Sequence, residues 1–386
     1  MKPIYLDYGA TSPVRPEVME ILLPFFQTEY ANAGSIHDFG QRSRDAIERA
    51  RKQVADSLDA SSPREIIFTG SGTEANNLAI LGAARKHRNR GNHVITTSIE
   101  HPSILETCKQ LEREGFEVTY LPVDPYGQIS VDQVKEALTE QTILVSVMAA
   151  NNEVGTLQPI QEIGRLLRHT PVLFHTDAVQ FYGKIPFSVQ ELGVDLLSVS
   201  GHKIYGPKGI GALYIKKGIR IEPVLFGGGQ ERGLRPATQN TPGIIGLGAA
   251  AYLMSREVEQ ERQRLTRLRD LCLKRIQKEI GRVELNGHPS NRLPNNLNLS
   301  FHGVEGQAVL LELNRKQIYV SSGSACSAGK HAPSHVLMAM GKSEEQAYQS
   351  LRITFGRETT ESDVHQLVDH LKEILEDLRS FLRNKP

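Results

Sequence analysis

Residues 64–98 read REIIFTGSGTEANNLAILGAARKHRNRGNHVITTS, and their pattern decides the fold class of this chain. An apolar, β-rich run (REIIF) leads into a glycine-containing turn, and a segment with helical spacing follows from Thr73 to Arg88. A second β-rich run, HVITT at 93–97, comes next. Strands that alternate with helices in this way predict an α/β domain whose sheet is mostly parallel.

The same alternation continues to about residue 215, where segments with helical spacing, such as 103–114 and 160–168, separate further β-rich runs. These runs are EVTYL (117–121), ILVSVM (143–148), VLFHTD (172–177) and DLLSVS (195–200). They extend the predicted sheet by several strands. The run GIGALYIKK (209–217) predicts one more strand, antiparallel and at an edge of the sheet.

The pattern changes after residue 240. Residues 242–280 are rich first in Ala and Leu and then in charged residues, with helical spacing throughout, which predicts one long helix or two in succession. Beyond Arg282 come short β-rich runs (VELNG, NLNLSFH, YVSSG, LRITFG) and at least two helical segments. This part of the chain predicts a smaller α+β domain.

Composition excludes several classes of function. The chain has 386 residues and a formal net charge of +1, so no bulk charge favours nucleic acid or an anionic membrane. We expect no secretion signal in MKPIYLDYGA and no transmembrane helix, because no uncharged apolar run reaches ~18 residues. Cys108, Cys272 and Cys326 are widely spaced, which fits neither a disulfide framework nor a zinc site, and the first two lie in helical segments as packing residues. We therefore predict a cytoplasmic protein without a metal site.

The stretch SVSGHKIYGPKGIG (198–211) places Lys203 in a glycine-rich loop after a buried strand. Burial disfavours a lysine cation, so the pKa of Lys203 should fall and its free amine can form a Schiff base with an aldehyde cofactor. Asp177 ends another strand and can keep a pyridinium protonated, as in pyridoxal phosphate (PLP) enzymes. Gln180 can donate to the phenolic oxygen of that ring. Taken singly, a lysine such as Lys203 is more often a surface-loop residue, and Asp177 could equally be a helix N-cap or turn aspartate.

Residues 70–73 (GSGT) lie between a strand and a helix, where backbone N–H groups and a Thr hydroxyl can hold a phosphate. Ser200 and His202 are further phosphate donors. His101 and Asn152 follow two other strands, and ligands of open α/β sheets gather at the carboxyl ends of strands. His101 can lie over a planar ring and carry protons, the alternative being a helix-capping or solvated histidine.

Cys326 lies in SSGSACSAGKHAPSH (321–335), where small residues cannot pack a core around the sulfur. Spacing excludes a disulfide and a metal site, which leaves an accidental thiol or a nucleophile, on a loop that has few side chains to anchor it. Lys330, His331 and His335 either ease formation of the thiolate or form a solvated face.

Eight blocks carry a family resemblance. In chain order they are TGSGTEANN, EHPS, NNEVGT, DAVQ, SGHKIYGPKGIG, RPATQN, SGSACS and LRITFGR. Together they resemble the cysteine desulfurases of the NifS and IscS type, in the class V aminotransferase group of fold-type I PLP enzymes. The resemblance covers nearly the whole chain. It implies a large PLP-binding domain over 16–255, with a mixed, mostly parallel sheet, and a small α+β domain over 1–15 and 256–386 that carries the cysteine loop.

The resemblance also implies a role for each candidate site residue. Lys203 would carry PLP, His101 would stack on its ring, and Cys326 would be the nucleophile. The implied cofactor-binding residues are Gly72, Thr73, Asn152, Asp177, Gln180, Ser200, His202, Lys203 and Thr238. Thr238 would act across a dimer interface. Arg352 and Asn32 would hold the substrate carboxylate.

The implied reaction takes sulfur from L-cysteine, leaving L-alanine and a persulfide on Cys326, to supply iron–sulfur cluster or thio-cofactor synthesis such as tRNA thiolation. The implied partners are a second copy of the chain and a sulfur-acceptor or iron–sulfur scaffold protein, during whose loading Cys326 would transiently ligate a cluster. An aminotransferase, a lyase acting on L-selenocysteine and a non-enzymatic scaffold are the alternatives.

Overall fold

The protein, in a computed structural model that describes residues 3–322 and 332–383, is built on a seven-stranded sheet. The strands in chain order are β1 (Ile4–Tyr5), β2 (Ile66–Thr69), β3 (His93–Thr97), β4 (Glu117–Leu121), β5 (Thr142–Ser146), β6 (Leu173–Asp177), β7 (Leu196–Ser200), β8 (Gly211–Ile215), β9 (Val283–Asn286), β10 (Asn296–Phe301), β11 (Ile318–Tyr319) and β12 (Ser350–Thr354). The large sheet has the order β2-β8-β7-β6-β5-β3-β4. The predicted strands of the first half of the chain all belong to it.

Within this sheet β8 runs antiparallel to both of its neighbours, and the other contacts are parallel. The predicted fold class, a mixed and mostly parallel α/β sheet, is therefore confirmed. The prediction that β8 lies at an edge is wrong, because β2 covers its outer side and is itself the edge strand. All five residues of β8 are buried, which requires packing on both faces, but burial alone does not reveal strand order.

Helices cover both faces of the large sheet. The helices in chain order are α1 (Pro16–Leu22), α2 (Pro24–Gln27), α3 (Asp38–Leu58), α4 (Gly72–His87), α5 (Pro102–Arg113), α6 (Val131–Ala137), α7 (Ile160–Leu167), α8 (Val189–Leu192), α9 (Thr241–Glu279), α10 (Gly306–Arg315), α11 (His335–Ala339), α12 (Glu344–Tyr348) and α13 (Glu361–Arg383). One core holds side chains of α3, α7 and α9, and the core on the opposite face holds those of α4 and α5. In β2 and β8, for example, successive residues alternate between the two cores, as the two-residue repeat of a strand requires.

Helix α9 resolves the sequence alternative of one helix or two, since it runs unbroken for 39 residues. Its first half is buried in the core of the large sheet, where a Cβ on Gly248 would come within 2.6 Å of the Cα of Ala50 on α3. Its second half contributes Leu265 and Ile276 to a separate core. The long helix therefore joins two hydrophobic cores.

The second core belongs to the antiparallel sheet β12-β10-β9, which packs against α9, α10 and α13. Leu6 also lies in this core, and β1 pairs with β11, so the N-terminal segment is part of the smaller unit. The domain boundaries at 15/16 and 255/256 remain a prediction. Across the described ranges, no helix combines the length and the apolar character that crossing a membrane would need.

Candidate active site

A cavity of about 460 Å³ opens at the carboxyl ends of the parallel strands. Such an end is where ligands of open α/β sheets bind. Most of the predicted site residues line it, although they come from distant parts of the sequence. They are Gly72, Thr73, His101, Asn152, Asp177, Gln180, Ser200, His202, Lys203 and Arg352.

Lys203 ends a short 3-10 turn directly after β7. Its Nζ donates to the main-chain carbonyls of Gly9 and Ala10, each at 2.6 Å. The N-terminal segment therefore passes next to the amine of Lys203 and holds this amine in the cavity. Sequence reasoning missed this contact, and the only available signal was the polar, glycine-containing stretch YLDYGATSP near the start of the chain.

Asp177 lies at the end of β6 and is buried. Its Oδ2 accepts from the side-chain amide of Asn76 at 2.8 Å, and its Oδ1 accepts from the backbone N–H of Val179 at 2.9 Å. Gln180 donates to the carbonyl of Gly9 at 2.9 Å. A buried carboxylate held by two donors is a suitable acceptor for a pyridinium N–H.

A hydrogen-bonded chain connects Asp177 to His101. The amide of Asn76 that donates to Asp177 also donates to the Ser103 hydroxyl at 2.9 Å, and this hydroxyl lies 2.8 Å from Nδ1 of His101. The backbone N–H of Ser103 also donates to Nδ1, which makes Nδ1 an acceptor and places the ring proton on Nε2. Burial lowers the pKa of His101, so the imidazole is neutral at neutral pH. Asn76 and Ser103 are site residues that sequence reasoning missed.

The start of α4 forms a close-fitting backbone cradle. A Cβ on Gly72 would come within 2.8 Å of Val179 Cγ2, so glycine is required for this approach. The first N–H groups of a helix have no intrahelical acceptor, and they favour an anion. Ser200 lies next to Gly72, since its Cβ would be 3.4 Å from a Cβ added there. His202 lines the same cavity, and burial lowers the pKa of His202 to about 4.

Arg352 is a fully buried arginine on β12 that lines the cavity. Its Nη1 donates to the carbonyl of Asn152 at 3.0 Å, and its Nη2 pairs with Asp7 at 3.0 Å. Its Nε is buried and finds no hydrogen-bond partner within the described parts of the chain. An additional carboxylate could therefore accept a hydrogen bond from this buried guanidinium, which has an unused donor. Asp7 is a further contact that sequence reasoning missed.

Two predicted residues do not line the cavity. Thr238 is exposed in a neighbouring cavity of about 280 Å³, which shares Gly209 with the main one. Asn32 is also exposed, and its side chain accepts from the N–H of Gly34 in a surface turn. Their predicted roles remain predictions, and the role of Thr238 already assumed a second subunit.

Cys326, Lys330 and His331 lie outside the described residues. The neighbours on both sides contact the cavity rim: Ser321 exchanges main-chain hydrogen bonds with Arg352, and His335 donates to the carbonyl of Glu100 at 3.0 Å. The hydroxyl of Ser334 donates to Glu153, a buried carboxyl. The two ends of the segment that contains Cys326 are thus fixed next to the site.

Glu100, which precedes His101, is completely buried. Its Oε1 accepts from the Thr97 hydroxyl at 2.8 Å and from the N–H of Met148 at 2.9 Å, while Oε2 has no partner in the described ranges. Burial raises the pKa of Glu100 to about 8. The side chain is therefore a neutral carboxylic acid near neutral pH, and it joins the ends of β3 and β5 behind His101.

Glu100→Gln should consequently become more stable relative to the wild type as pH rises from about 5 to 8. The folded wild type keeps a proton that its unfolded chain releases above the ordinary pKa of 4.5, so its free energy of unfolding falls with pH, by up to about 1.4 kcal/mol per pH unit. Glutamine does not titrate, so the free energy of unfolding of the variant lacks this decrease with pH. Urea unfolding at both pH values measures the difference, with exposed Glu140→Gln as control. An equal difference at both pH values would contradict the argument.

The donor set fits a planar, phosphorylated aldehyde of the PLP type. An amine lies at the end of one strand, a carboxylate at the end of another, and a glycine cradle at the start of α4 faces the same cavity. The buried Oδ1 of Asn76, which has no partner within the described residues, adds an unused acceptor beside Asp177. Within these residues no group of three or more His, Cys, Asp or Glu side chains is arranged to hold a metal ion.

Comparisons with known proteins agree with this chemistry. Residues 4–367 match the family model described as aminotransferase class-V. The cysteine desulfurase IscS of Dictyoglomus turgidum is 50% identical over 380 residues, which is 98% of this chain and 96% of that protein. A solved NifS-like protein superposes with a TM-score of 0.91 at 38% identity, over 97% of this chain and 100% of that one.

A solved structure of SspA in complex with cysteine is also similar, with 39% identity and a TM-score of 0.81 over 91% of this chain and 98% of that one. These matches confirm the family, the enzyme class and the PLP cofactor predicted from the sequence. The chain therefore belongs to the class V aminotransferases and, within them, to the cysteine desulfurases.

Proposed function

We propose that this enzyme removes sulfur from L-cysteine and passes it to its own Cys326, with L-alanine as the other product. The observation that supports this proposal best is the single cavity that unites Lys203, Asp177 and Arg352. This set suits an amino acid substrate, because Lys203 supplies the amine that holds PLP, Asp177 supplies a partner for the pyridinium, and Arg352 supplies a partner for the substrate carboxylate. When bound, PLP supplies the electron sink that stabilises negative charge at the substrate Cα.

The residues of the cavity divide the work in this proposal. Asp177 would accept a hydrogen bond from the pyridinium N–H and so keep that nitrogen protonated, and the N–H groups at Gly72 and Thr73 would bind the phosphate. Arg352 orients the substrate through its carboxylate. Lys203 would hold the cofactor through its amine, and the same amine, once free, would take the proton from Cα as a general base. Neutral His101, with its proton on Nε2, carries a proton between the substrate thiol and the surrounding groups.

The sulfur transfer is balanced without an external oxidant. The thiolate of Cys326 attacks the substrate sulfur, the carbon–sulfur bond breaks, and its electron pair remains on the substrate carbon. That carbon takes a proton and leaves as alanine, while Cys326 keeps the sulfur as a persulfide. L-cysteine and one thiol are thereby converted into L-alanine and one persulfide.

Chain length supports a role for Cys326 at this cavity. Ser321 and Ser322 are described residues, and the main chain of Ser321 binds that of Arg352. In the sequence Cys326 comes four positions after Ser322, and four residues of chain span at most about 14 Å. This length is compatible with the role that we propose for Cys326 at the cavity lined by Arg352.

The direct test is to incubate the holoenzyme with L-cysteine, to quantify alanine and sulfide, and to analyse the Cys326 peptide by mass spectrometry. We expect alanine in proportion to sulfide and an added mass of about 32 Da, one sulfur atom, on that peptide. A keto acid in place of alanine would favour an aminotransferase. A preference for selenocysteine when both substrates compete would favour a selenocysteine lyase.

Arg352→Lys should raise the KM for L-cysteine about 10- to 100-fold, because a point charge replaces a planar, two-pronged donor in a buried site. The visible spectrum of the bound cofactor should remain unchanged. Cysteamine, which lacks the carboxylate, is the matched control, and its turnover should not fall further in the variant. An unchanged KM for L-cysteine would remove Arg352 from substrate binding.

We further propose a homodimer. Ile36 and Phe226 are 98% and 86% exposed, and Tyr30 and Phe26 are also largely exposed, which is unusual for apolar side chains on a free surface. Thr238, exposed in the cavity beside the main site, would then reach the phosphate bound by the other subunit, while Asn32 would complete the substrate pocket. Sedimentation equilibrium tests the dimer, and a monomer at micromolar concentration would contradict it.

The sulfur acceptor is proposed to be an iron–sulfur scaffold or another sulfur-accepting protein, and the compartment to be the cytoplasm. Cys108 and Cys272 are unpaired and buried, as expected in a reducing compartment.

A further inference from the structure

Ser103, the second residue of α5, contacts the imidazole of His101 through two groups. Its backbone N–H donates to Nδ1 at 3.1 Å, and its hydroxyl oxygen lies 2.8 Å from the same nitrogen. His101 is the N-cap residue of α5, so its Nδ1 satisfies an N–H of the first turn that has no acceptor within the helix. The ring of His101 is therefore held against the start of α5.

Asn76 sets the direction in which the hydroxyl of Ser103 donates. The side-chain amide of Asn76 donates one hydrogen to the Ser103 oxygen at 2.9 Å and the other to Oδ2 of Asp177 at 2.8 Å. The Ser103 oxygen is thus an acceptor for Asn76, and its own hydrogen is directed to the remaining neighbour, Nδ1 of His101. Asn76 and Ser103 are both buried, so bulk water does not replace these hydrogen bonds.

Two donors therefore converge on one nitrogen of the His101 ring. A proton added to Nδ1 would face the backbone N–H of Ser103, which is part of the helix and cannot rotate away. The hydroxyl of Ser103 would also lose the acceptor for its hydrogen. Both contacts therefore favour the neutral imidazole, in which Nδ1 accepts and Nε2 carries the proton.

The charged and titratable groups around His101 act in opposite directions. Burial lowers the pKa of His101, Asp177 acts against this effect, and Lys203 and His335 act with it. The other titratable groups of the cavity and of the adjoining chain are His202, Lys208, Arg352 and Glu100. The attraction by Asp177 would promote an imidazolium, and the hydrogen bonds at Nδ1 oppose it.

We propose that Ser103 is a positioning residue, which holds His101 in the cofactor cavity as a neutral imidazole with its proton on Nε2. The proposal rests on the role of His101 in the proposed function, and it names the side chain that controls the protonation of this histidine. A neutral ring leaves the negative charge of Asp177 to the pyridinium, whereas an imidazolium would compete for it. Ser103 thereby protects the pairing of Asp177 with the cofactor.

In Ser103→Ala we expect the pKa of His101 to rise by about 0.5 to 1 pH unit, because the neutral ring loses one hydrogen bond at Nδ1. Ser103→Thr keeps the hydroxyl and should restore the wild-type pKa. Ser362→Ala is the matched control, since Ser362 is also the second residue of a helix, α13, but is exposed. It should leave the pKa of His101 unchanged.

The direct measurement is nitrogen NMR of the holoenzyme labelled with ¹⁵N-histidine, in which His101→Gln identifies the signals of His101. At about pH 8 the two ring signals report the tautomer and the hydrogen bonding of Nδ1. An Nδ1 signal that moves in Ser103→Ala and returns in Ser103→Thr supports the proposal. The same Nδ1 signal in wild type and Ser103→Ala overturns it, whether or not the threonine variant folds.

The pH dependence of alanine release separates this proposal from the proposed function. The acidic limb of kcat/KM for L-cysteine should move up by the same 0.5 to 1 pH unit, roughly, in Ser103→Ala and not in Ser362→Ala. A limb that stays in place, although His101→Gln is impaired, overturns the proposal. Failure of the proposed function is distinguishable, because the wild type would then release no alanine, while the NMR comparison does not depend on turnover.

Discussion

Lys203→Ala is expected to abolish cysteine desulfurase activity, with a loss of at least about 1,000-fold, and to remove the visible absorption of covalently held cofactor. The amine of Lys203 is the nucleophile for the cofactor aldehyde and then the base for the Cα proton, so one substitution removes both functions. In the structure this amine is fixed by two carbonyls of the N-terminal segment, at Gly9 and Ala10.

The measurement is the visible spectrum after dialysis, together with alanine release. Lys203→Arg keeps a cation but forms no Schiff base, and it should fail equally. Lys217→Met, in the exposed turn that follows β8, should retain both spectrum and activity. Retention of the visible band in Lys203→Ala would contradict the assignment of the cofactor lysine.

Cys326→Ser is expected to reduce sulfide production about 1,000-fold or more while leaving the cofactor spectrum and its shift on adding L-cysteine intact. A hydroxyl is a far weaker nucleophile than a thiolate toward sulfur, whereas cofactor binding depends on residues of the cavity that are unchanged. The variant therefore separates sulfur transfer from substrate binding. Full activity in Cys326→Ser would exclude Cys326 as the nucleophile.

The other two cysteines serve as controls for this experiment. Cys108 and Cys272 are buried, and burial raises the pKa of each thiol to about 12, which disfavours the thiolate. Cys108→Ala and Cys272→Ala should retain activity, with a loss of stability of about 1 kcal/mol from lost packing. A persulfide on either residue, in place of Cys326, would contradict the proposed acceptor.

The alternation of β-rich and helical segments predicted the large sheet well, because buried parallel strands are apolar along their length and their helices have a different period. Strand order was harder to predict. The edge position assigned to β8 is wrong, because β8 lies between β2 and β7. Its apolar residues indicate that the strand is buried, but they do not indicate which strands are its neighbours. The pairing of β1 with β11 joins residues more than 300 positions apart, which no local pattern encodes.

For the site, the sequence identified residue types whose chemistry is distinctive. Lys203, Asp177 and the glycine cradle stand directly after strands, so their meeting at one edge of the sheet follows from the topology of parallel strands. Asn76, Ser103 and Asp7 were missed because an amide, a hydroxyl and a carboxylate occur in many surface positions. Their roles come from partners, such as Asp177 for Asn76, that are distant in the sequence.

By itself the sequence therefore determined the fold class, the family, the cofactor and the residue types of the site, because periodicity and motif order are properties of a linear chain. Only the tertiary structure showed that the N-terminal segment contacts the amine of Lys203 and that a chain of hydrogen bonds connects His101 to Asp177. It also showed which ionisable groups are buried without a charged partner. The protonation states of Glu100 and His101 depend on burial and on neighbouring charges from other elements. Those surroundings exist only after the two sheets, their helices and the long helix α9 have packed together.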